Sequence, residues 1–236
     1  QRVYSAAYRV SRAAVDLPEP ERRVVRLAPS AEQETHLKRV ITEEAENVLT
    51  RDLRQQQIVA GFYVDEDGVP RPLPDPKADW IEQYLTDVLP TEDAHAIVWT
   101  QFIPEIETLI AKLEALFPGT VARIDGGVSD ADRQVIRRRF NDRQDSLRVL
   151  IMNTKTGAMG LDLPACDAML YHSLTYNYID FIQSEGRGTR LGNTHPCQIA
   201  ILALEGTIDE AIMANLAEKG HWNKLLVGDG FAWHPN

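Results

Sequence analysis

The stretch RVLIMNTKTGAMGLDL, residues 148–163, places a short apolar run directly before a polar loop that contains Gly157 and Gly160. A short apolar run of this kind is typical of a buried strand. Glycines directly after a strand let backbone N–H groups approach a phosphate closely. An ordinary strand-to-helix turn is the alternative interpretation of the loop, and the spacing alone favours it.

Other strands are predicted on both sides of this stretch. They lie at residues 22–27, 96–99, 121–124, 168–172 and 199–204. Between two of them, Ile106, Leu109, Ile110 and Leu113 recur at helical spacing. Strands that alternate with helices predict parallel crossover connections. We therefore expect an α/β fold with a mainly parallel sheet that helices cover on both faces.

The first third of the chain has a different pattern. A capping box at Ser30 and Gln33 predicts the start of a long polar helix that runs to about Ile58. The next segment, GFYVDEDGVPRPLPDP, has an Asp-Gly turn that predicts a hairpin. We expect three parts: a lead-in strand, long helix and hairpin over 1–75, the main lobe over 76–205, and a C-terminal helix and tail over 206–236.

Composition narrows the class of protein. The chain has 236 residues, of which 44% are apolar and 25% are charged, as in an ordinary globular protein. No apolar run approaches the roughly 18 residues that span a bilayer. Cys166 and Cys197 cannot form a disulfide framework, so we expect a reducing, intracellular compartment. Because residue 1 is Gln rather than Met, we expect a processed or cut piece of a longer chain.

Charge bears on the partners. A net charge of −10 argues against nucleic-acid binding through bulk positive charge, but it leaves a local basic track open. Arg133 and the run 137–139 could form such a track along one helix. The alternative is a solvated helix face, and the pattern favours it. Its acidic partners would be Asp130, Asp132, Asp142 and Asp145.

Polar residues follow each predicted strand of the main lobe. Ligands of parallel sheets bind at the carboxyl ends of the strands. In QSEGRGTR, residues 183–190, Arg187 and Arg190 are three apart and share a face on a helical turn. Two guanidinium groups there can neutralise a polyphosphate, and the alternative is surface arginines paired with Glu185 or Asp180.

Two common motifs are absent from this sequence. It has no G-x-x-x-x-G-K-[ST] run that would cradle phosphates and no Asp-Glu-x-His run that would hold magnesium. The cysteines lie far from any His-x3-His spacing, so we expect no metal site. A nucleotide site built from this chain would therefore be half a site.

In this order, the segments resemble the second RecA-like lobe of superfamily-two helicases, specifically the Swi/Snf-like translocases of compact bacterial or phage type. The resemblance runs from about Asp16 to Lys219. It rests on IVWTQF (97–102), ARIDGGVSDADRQVIRRRFND (122–142), NTKTGAMGLDL (153–163) and QSEGRGTRLGNTHPCQIAILALEGTIDEAI (183–212).

The resemblance implies how the chain meets nucleotide. Arg187 and Arg190 would be arginine fingers that reach the phosphates of ATP. Gln183, Gly160 and Asp162 would lie near the same nucleotide. ATP and Mg²⁺ would be held mainly by a first RecA-like lobe of the same polypeptide, so this chain alone is expected to be inactive.

The resemblance also implies a second partner, double-stranded DNA. Gln101, Gly126, Thr154 and Lys155 would face the nucleic-acid backbone. The expected function is therefore the second motor lobe of an ATP-dependent DNA translocase in the cytoplasm, with no membrane partner. A non-catalytic lobe that binds DNA or protein is the alternative, and the presence of both arginines argues against it.

Overall fold

The computed structural model of the chain describes residues 20–42, 47–92, 94–157, 160–189 and 197–220. Within these ranges the strands, in chain order, are β1 (Glu21–Leu27), β2 (Phe62–Val64), β3 (Pro70–Pro72), β4 (Ala96–Thr100), β5 (Val121–Ile124), β6 (Val149–Asn153), β7 (Ala168–Tyr171) and β8 (Gln198–Leu204). The helices are α1 (Ala31–Thr42), α2 (Val48–Val59), α3 (Pro76–Glu92), α4 (Ile103–Leu116), α5 (Asp130–Asn141), α6 (Thr154–Gly157), α7 (Tyr178–Gly188) and α8 (Ile208–Gly220).

The main sheet has the order β1-β8-β7-β4-β6-β5, and every pairing in it is parallel. This confirms the predicted parallel sheet. Strand β4 lies in the middle, where Trp99 pairs with Met152 on one side and with Tyr171 on the other. Because the chain returns to the same edge after each strand, the carboxyl ends of β4, β5, β6 and β7 lie together.

Helices cover both faces of the sheet, as the alternating pattern predicts. Ile97 and Trp99 of β4 pack into one apolar cluster, and Ala96 and Val98 pack into another, so alternate residues face opposite sides. The first cluster includes side chains of α1, α2, α5, α7 and α8, and the second includes side chains of α3 and α4. No helix in the described ranges is both long enough and apolar enough to cross a membrane.

The predicted start of the first helix is confirmed. Gln33 N donates to Ser30 Oγ at 3.2 Å, and Ser30 N donates to Gln33 Oε1 at 3.0 Å, which is the reciprocal capping box. The predicted single long helix is wrong, because the structure has two helices, α1 and α2. Asn47 has an extended backbone with φ −161°, and its side chain accepts from Thr50 N at 2.8 Å. This cap starts a new helix.

The predicted hairpin is confirmed as β2 and β3, which pair antiparallel from Phe62–Pro72 to Val64–Pro70. Gly68 in its turn has φ +79°, a conformation that favours glycine. Division of the chain at residue 75 stays a prediction. Contacts nevertheless cross that position: β1 pairs with β8 along its whole length, and Leu73 is buried in the core.

Candidate functional site

Three segments that were predicted to face nucleic acid lie side by side at the carboxyl edge of the sheet. Gln101 follows β4, Thr154 and Lys155 follow β6, and Gly126 follows β5. Strands β4, β6 and β5 are consecutive in the sheet. The sheet order therefore places these residues in one row.

The side chains of these predicted DNA-contact residues differ in solvent exposure. Lys155 is exposed and Gln101 is partly exposed. Thr154 is 1% exposed, and its hydroxyl donates to the carbonyl of Thr100 at 3.3 Å. The side chain of Thr154 thus supports the end of β4 instead of lying on the surface.

Hydrogen bonds from neighbouring residues hold the turn that carries Gly126. Asp125 is 2% exposed; its Oδ1 accepts from Gly127 N at 2.7 Å and its Oδ2 accepts from Arg123 Nε at 2.5 Å. Arg133 Nη2 donates to the Asp125 carbonyl at 2.9 Å. Gly126 itself is exposed, and a Cβ added there would meet nothing within 4 Å. The backbone of Gly126 is thus open to a ligand.

The segment predicted to contact nucleotide lies beside the end of α7. Leu163 N donates to the Arg187 carbonyl at 3.0 Å, which joins the loop after α6 to the last turn of α7. Gly160, with φ +76°, and Asp162 are exposed in this loop. Gln183 is exposed one turn earlier on α7. The residues that were predicted to contact nucleotide and that the structure describes therefore lie at one end of the sheet.

Arg187 differs from one of the two interpretations that its sequence allowed. Arg187 is only 5% exposed, so the interpretation of it as a surface arginine is wrong. Glu185 is 4% exposed and accepts both from Arg22 Nε, at 2.9 Å, and from Arg22 Nη2, at 3.1 Å. This pair ties β1 to α7. Arg190 lies outside the described residues.

A buried histidine that the sequence analysis did not single out links three parts of the chain. His172 Nδ1 lies 2.5 Å from Glu105 Oε1, and His172 Nε2 lies 2.7 Å from Asp75 Oδ2. Both carboxylates can only accept, so the ring donates from both nitrogens and is an imidazolium. Asp75 caps α3 through Oδ1, which leaves its second oxygen for the ring.

Charge explains the protonation of this histidine. Burial favours the neutral ring, but attraction to Asp75 and Glu105 and the hydrogen bonds to them outweigh burial and raise the pKa of His172 to about 9. Burial likewise favours the neutral form of Asp75, but the imidazolium beside it holds the pKa of that carboxyl below its usual value. His172 and Asp75 thus form a charged pair at neutral pH.

The basic stretch after β5 is largely paired. Arg139 binds Asp145 at 3.0 Å, Arg133 binds Asp130 at 3.0 Å, and Arg143 binds Asp167 at 2.8 Å. Arg133 is buried at 6% exposure, and the exposed pairs of Arg139 and Arg143 favour a solvated face over a continuous basic track. Within the described ranges, no group of His, Cys, Asp and Glu side chains could hold a metal ion.

The sheet order, the two helical layers and the position of this edge define a RecA-like helicase C-terminal lobe. The fold is similar to that of a solved structure, "Crystal structure of the C-terminal part of Fun30 ATPase domain". The TM-score is 0.68, at 14% identity, and the match covers 85% of this chain and 90% of that chain. Residues 76–192 match the family described as "Helicase conserved C-terminal domain". The match covers slightly less than half of the chain, so this segment is similar to that family.

Two relatives are similar to part of this chain. The chain is 31% identical over 139 residues to a SWI/SNF-related matrix-associated actin-dependent regulator of chromatin of Drosophila melanogaster, which covers 58% of this chain and 16% of the relative. It is 26% identical over 151 residues to the chromatin-remodeling ATPase INO80 of Homo sapiens, covering 62% of this chain and 10% of the relative. The chain thus spans a small part of these relatives. Because both come from animals, they give no support to the expected bacterial or phage type.

Proposed function

We propose that this chain is the second motor lobe of an ATP-dependent translocase that moves along double-stranded DNA. The observation that carries the proposal is the shared edge of the sheet, where Gln101, Gly126 and Lys155 form a row and the loop with Gly160 lies beside α7. The names of the two relatives, an ATPase and a regulator of chromatin, support both halves of the proposal. A protein with this function would act on DNA inside the cell.

The proposed nucleotide site is shared with a first lobe. The described residues form one side of such a site: the backbone of Gly160 is open, and Asp162 and Gln183 are exposed. We infer that a first lobe holds ATP and Mg²⁺, and that bound ATP supplies the phosphoryl group that is transferred to water. Arg190 would add positive charge to that group from this side.

Arg187 has a different position in the proposal. Its side chain is 5% exposed and its carbonyl holds the loop at Leu163, so its first role is to fix the last turn of α7. A contact between its guanidinium and phosphate belongs to the assembled two-lobed state.

The proposed DNA track works through the phosphate backbone. Lys155 contributes a charge, while Gln101 and Gly126 contribute neutral hydrogen-bonding groups. Contacts of this kind position a protein on a duplex without reading its sequence. Because the net charge of the chain is −10, we expect weak binding that weakens further as salt is added.

The experiment compares a polypeptide that carries both lobes with its Lys155→Ala and Arg190→Ala variants. We expect duplex DNA to stimulate ATP hydrolysis by the unaltered protein. Lys155→Ala should weaken DNA binding and raise the DNA concentration needed for stimulation. Arg190→Ala should keep DNA binding and lose about 10³-fold or more in turnover.

A control variant and a contrary result complete the test. Lys38→Ala removes an exposed lysine of α1 that pairs only with Glu34 among its described contacts, and it should change neither binding nor turnover. A two-lobed protein that binds DNA but hydrolyses no ATP would favour the non-catalytic lobe. Hydrolysis that duplex DNA leaves unchanged would overturn the translocase.

A further inference from the structure

We propose that Asn153 and Glu105 are positioning residues of the DNA track, which set the direction of the side chains of Gln101 and Lys155. The inference rests on the proposed function and adds two residues to it. Neither residue was singled out by its sequence pattern. Both lie beneath the row at the carboxyl edge, with Asn153 9% exposed and Glu105 2% exposed.

Asn153 joins the ends of two neighbouring strands. Its Nδ2 donates to the carbonyl of Gln101 at 2.6 Å, and its Oδ1 accepts from Lys155 N at 3.0 Å. An amide side chain offers a donor and an acceptor at once, and no carboxylate can do the same. One side chain therefore fixes the backbone of both track residues.

Glu105 holds the same loop from its other end. Its Oε2 accepts from Gln101 N at 3.0 Å and from Phe102 N at 3.1 Å. The hydroxyl of Ser173 donates to the same oxygen at 3.0 Å, and His172 holds the other oxygen. The backbone N–H and the carbonyl of Gln101 thus both bind buried side chains. These two bonds fix the backbone of Gln101 and so the direction of its side chain.

The burial of Asn153 and Glu105 assigns them an indirect role. A phosphate on the surface can reach the exposed Lys155 and the partly exposed Gln101, while the two supporting side chains lie beneath them. Loss of either support should free the loop without removing a charge from the surface. The effect on DNA binding should therefore pass through Gln101 and Lys155 alone.

The test is a mutant cycle on DNA affinity. Fluorescence anisotropy with a short labelled duplex gives the Kd of the chain at several salt concentrations, starting at low salt. We expect Asn153→Ala to weaken binding by about 5-fold to 10-fold, in the range of a lost charge-assisted contact, and to reduce the salt slope by about 1. In the Gln101→Ala/Lys155→Ala background, the same change should alter Kd less than about 2-fold, because the groups it positions are gone.

Asn141→Ala is the matched control. Asn141 is also an asparagine that bridges two backbone groups, through Nδ2 to Asp162 O at 3.0 Å and through Oδ1 to Ala165 N at 3.4 Å. Its loss should leave Kd and the salt slope unchanged. Glu105→Gln, which keeps its size and one acceptor, is the second probe, and it should repeat the pattern of Asn153→Ala at a temperature where circular dichroism shows the chain to be folded.

Different failures have different signatures. If Gln101→Ala/Lys155→Ala binds duplex DNA as the unaltered chain does, the DNA track itself is wrong and the positioning inference falls with it. If that double variant weakens binding but Asn153→Ala and Glu105→Gln do not, the track holds and only the positioning role is overturned. An equal loss for Asn153→Ala in both backgrounds would show a general structural effect and would also overturn it.

Discussion

His172 Nε2 lies 2.7 Å from Asp75 Oδ2, although 97 positions separate the two residues along the chain. Asp75 also caps α3, where its Oδ1 accepts from Lys77 N at 3.0 Å and from Ala78 N at 3.2 Å. Through this contact the end of the hairpin segment is tied to the end of β7, next to the row of track residues. The tie is an ion pair, so its strength depends on pH.

The first prediction concerns pH. The pKa of His172 is raised to about 9, above its unfolded value near 6.5. A raised pKa contributes stability that is fully present below the unfolded value and is lost as pH rises through the folded value. The free energy of unfolding of the wild type should therefore exceed that of His172→Gln most at and below about pH 6.5, and this difference should shrink as the pH rises to about 9.

Urea unfolding of both proteins between pH 6 and pH 10 measures this difference. His172→Gln leaves the carboxylates of Asp75 and Glu105 without their cation. Its free energy of unfolding should be lower by about 3 kcal/mol or more at the lower end of this range. His36→Gln changes a histidine that stacks on Tyr63, with centroids 4.3 Å apart, and is the control. A gap between wild type and His172→Gln that stays constant across the whole range would contradict the prediction.

The second prediction concerns a buried ion pair. Lys77 Nζ lies 3.1 Å from Asp209 Oδ2, with the two side chains 0% and 2% exposed. Lys77→Met leaves the Asp209 carboxylate buried without its cation, so we expect a loss of about 3–5 kcal/mol in the free energy of unfolding. Lys38→Met removes the same charge from an exposed pair and should cost less than about 0.5 kcal/mol. A similar loss for both variants in urea unfolding would count against the pair.

The third prediction compares two glycines of α7. A Cβ on Gly188 would lie 2.5 Å from Met169 Cε and 2.8 Å from Cys166 Cβ, whereas a Cβ on Gly186 would meet nothing within 4 Å. Gly188→Ala should therefore lower stability by about 1–3 kcal/mol through overpacking. Gly186→Ala should raise it by about 0.5–1 kcal/mol, because alanine favours the helix. Thermal melts of the two variants check the order, and equal shifts would refute it.

Local sequence patterns predicted the strands and the parallel sheet of this molecule. The central strands of the main sheet are short apolar runs, and the parallel order brings the ends of β4, β6 and β5 together. The single long helix was the error. The apolar residues keep helical spacing from Leu37 to Val48. The sequence alone does not show whether Asn47 caps a new helix or lies within a continuous one.

The site was less predictable because its supports join distant parts of the chain. Glu105 and His172 are 67 positions apart, and no local pattern relates them. Gln101 and Lys155 stand out as polar residues after strands, but Asn153, the last residue of a buried strand, does not. The burial of Arg187 was missed for a related reason: a charged residue outside an apolar stripe gives no sign of the helix and loop that enclose it.

The last prediction follows from that burial. An arginine on the surface could be replaced by alanine with little change in stability, but Arg187 is 5% exposed and its removal leaves space at the end of α7. We therefore expect Arg187→Ala to lower the free energy of unfolding by about 1–3 kcal/mol. Arg138→Ala, in which an exposed arginine of α5 is lost, should cost less than about 0.5 kcal/mol.

Urea unfolding of the two variants compares these costs directly, and Arg187→Lys refines the comparison. Lysine keeps the charge but not the planar fork, so it should recover only part of the lost stability. Equal midpoints for wild type and Arg187→Ala would place this arginine at the surface. In a two-lobed protein, turnover must then be measured per folded molecule, because a fall in turnover that parallels the fall in stability reports the packing of α7 and not a contact with phosphate.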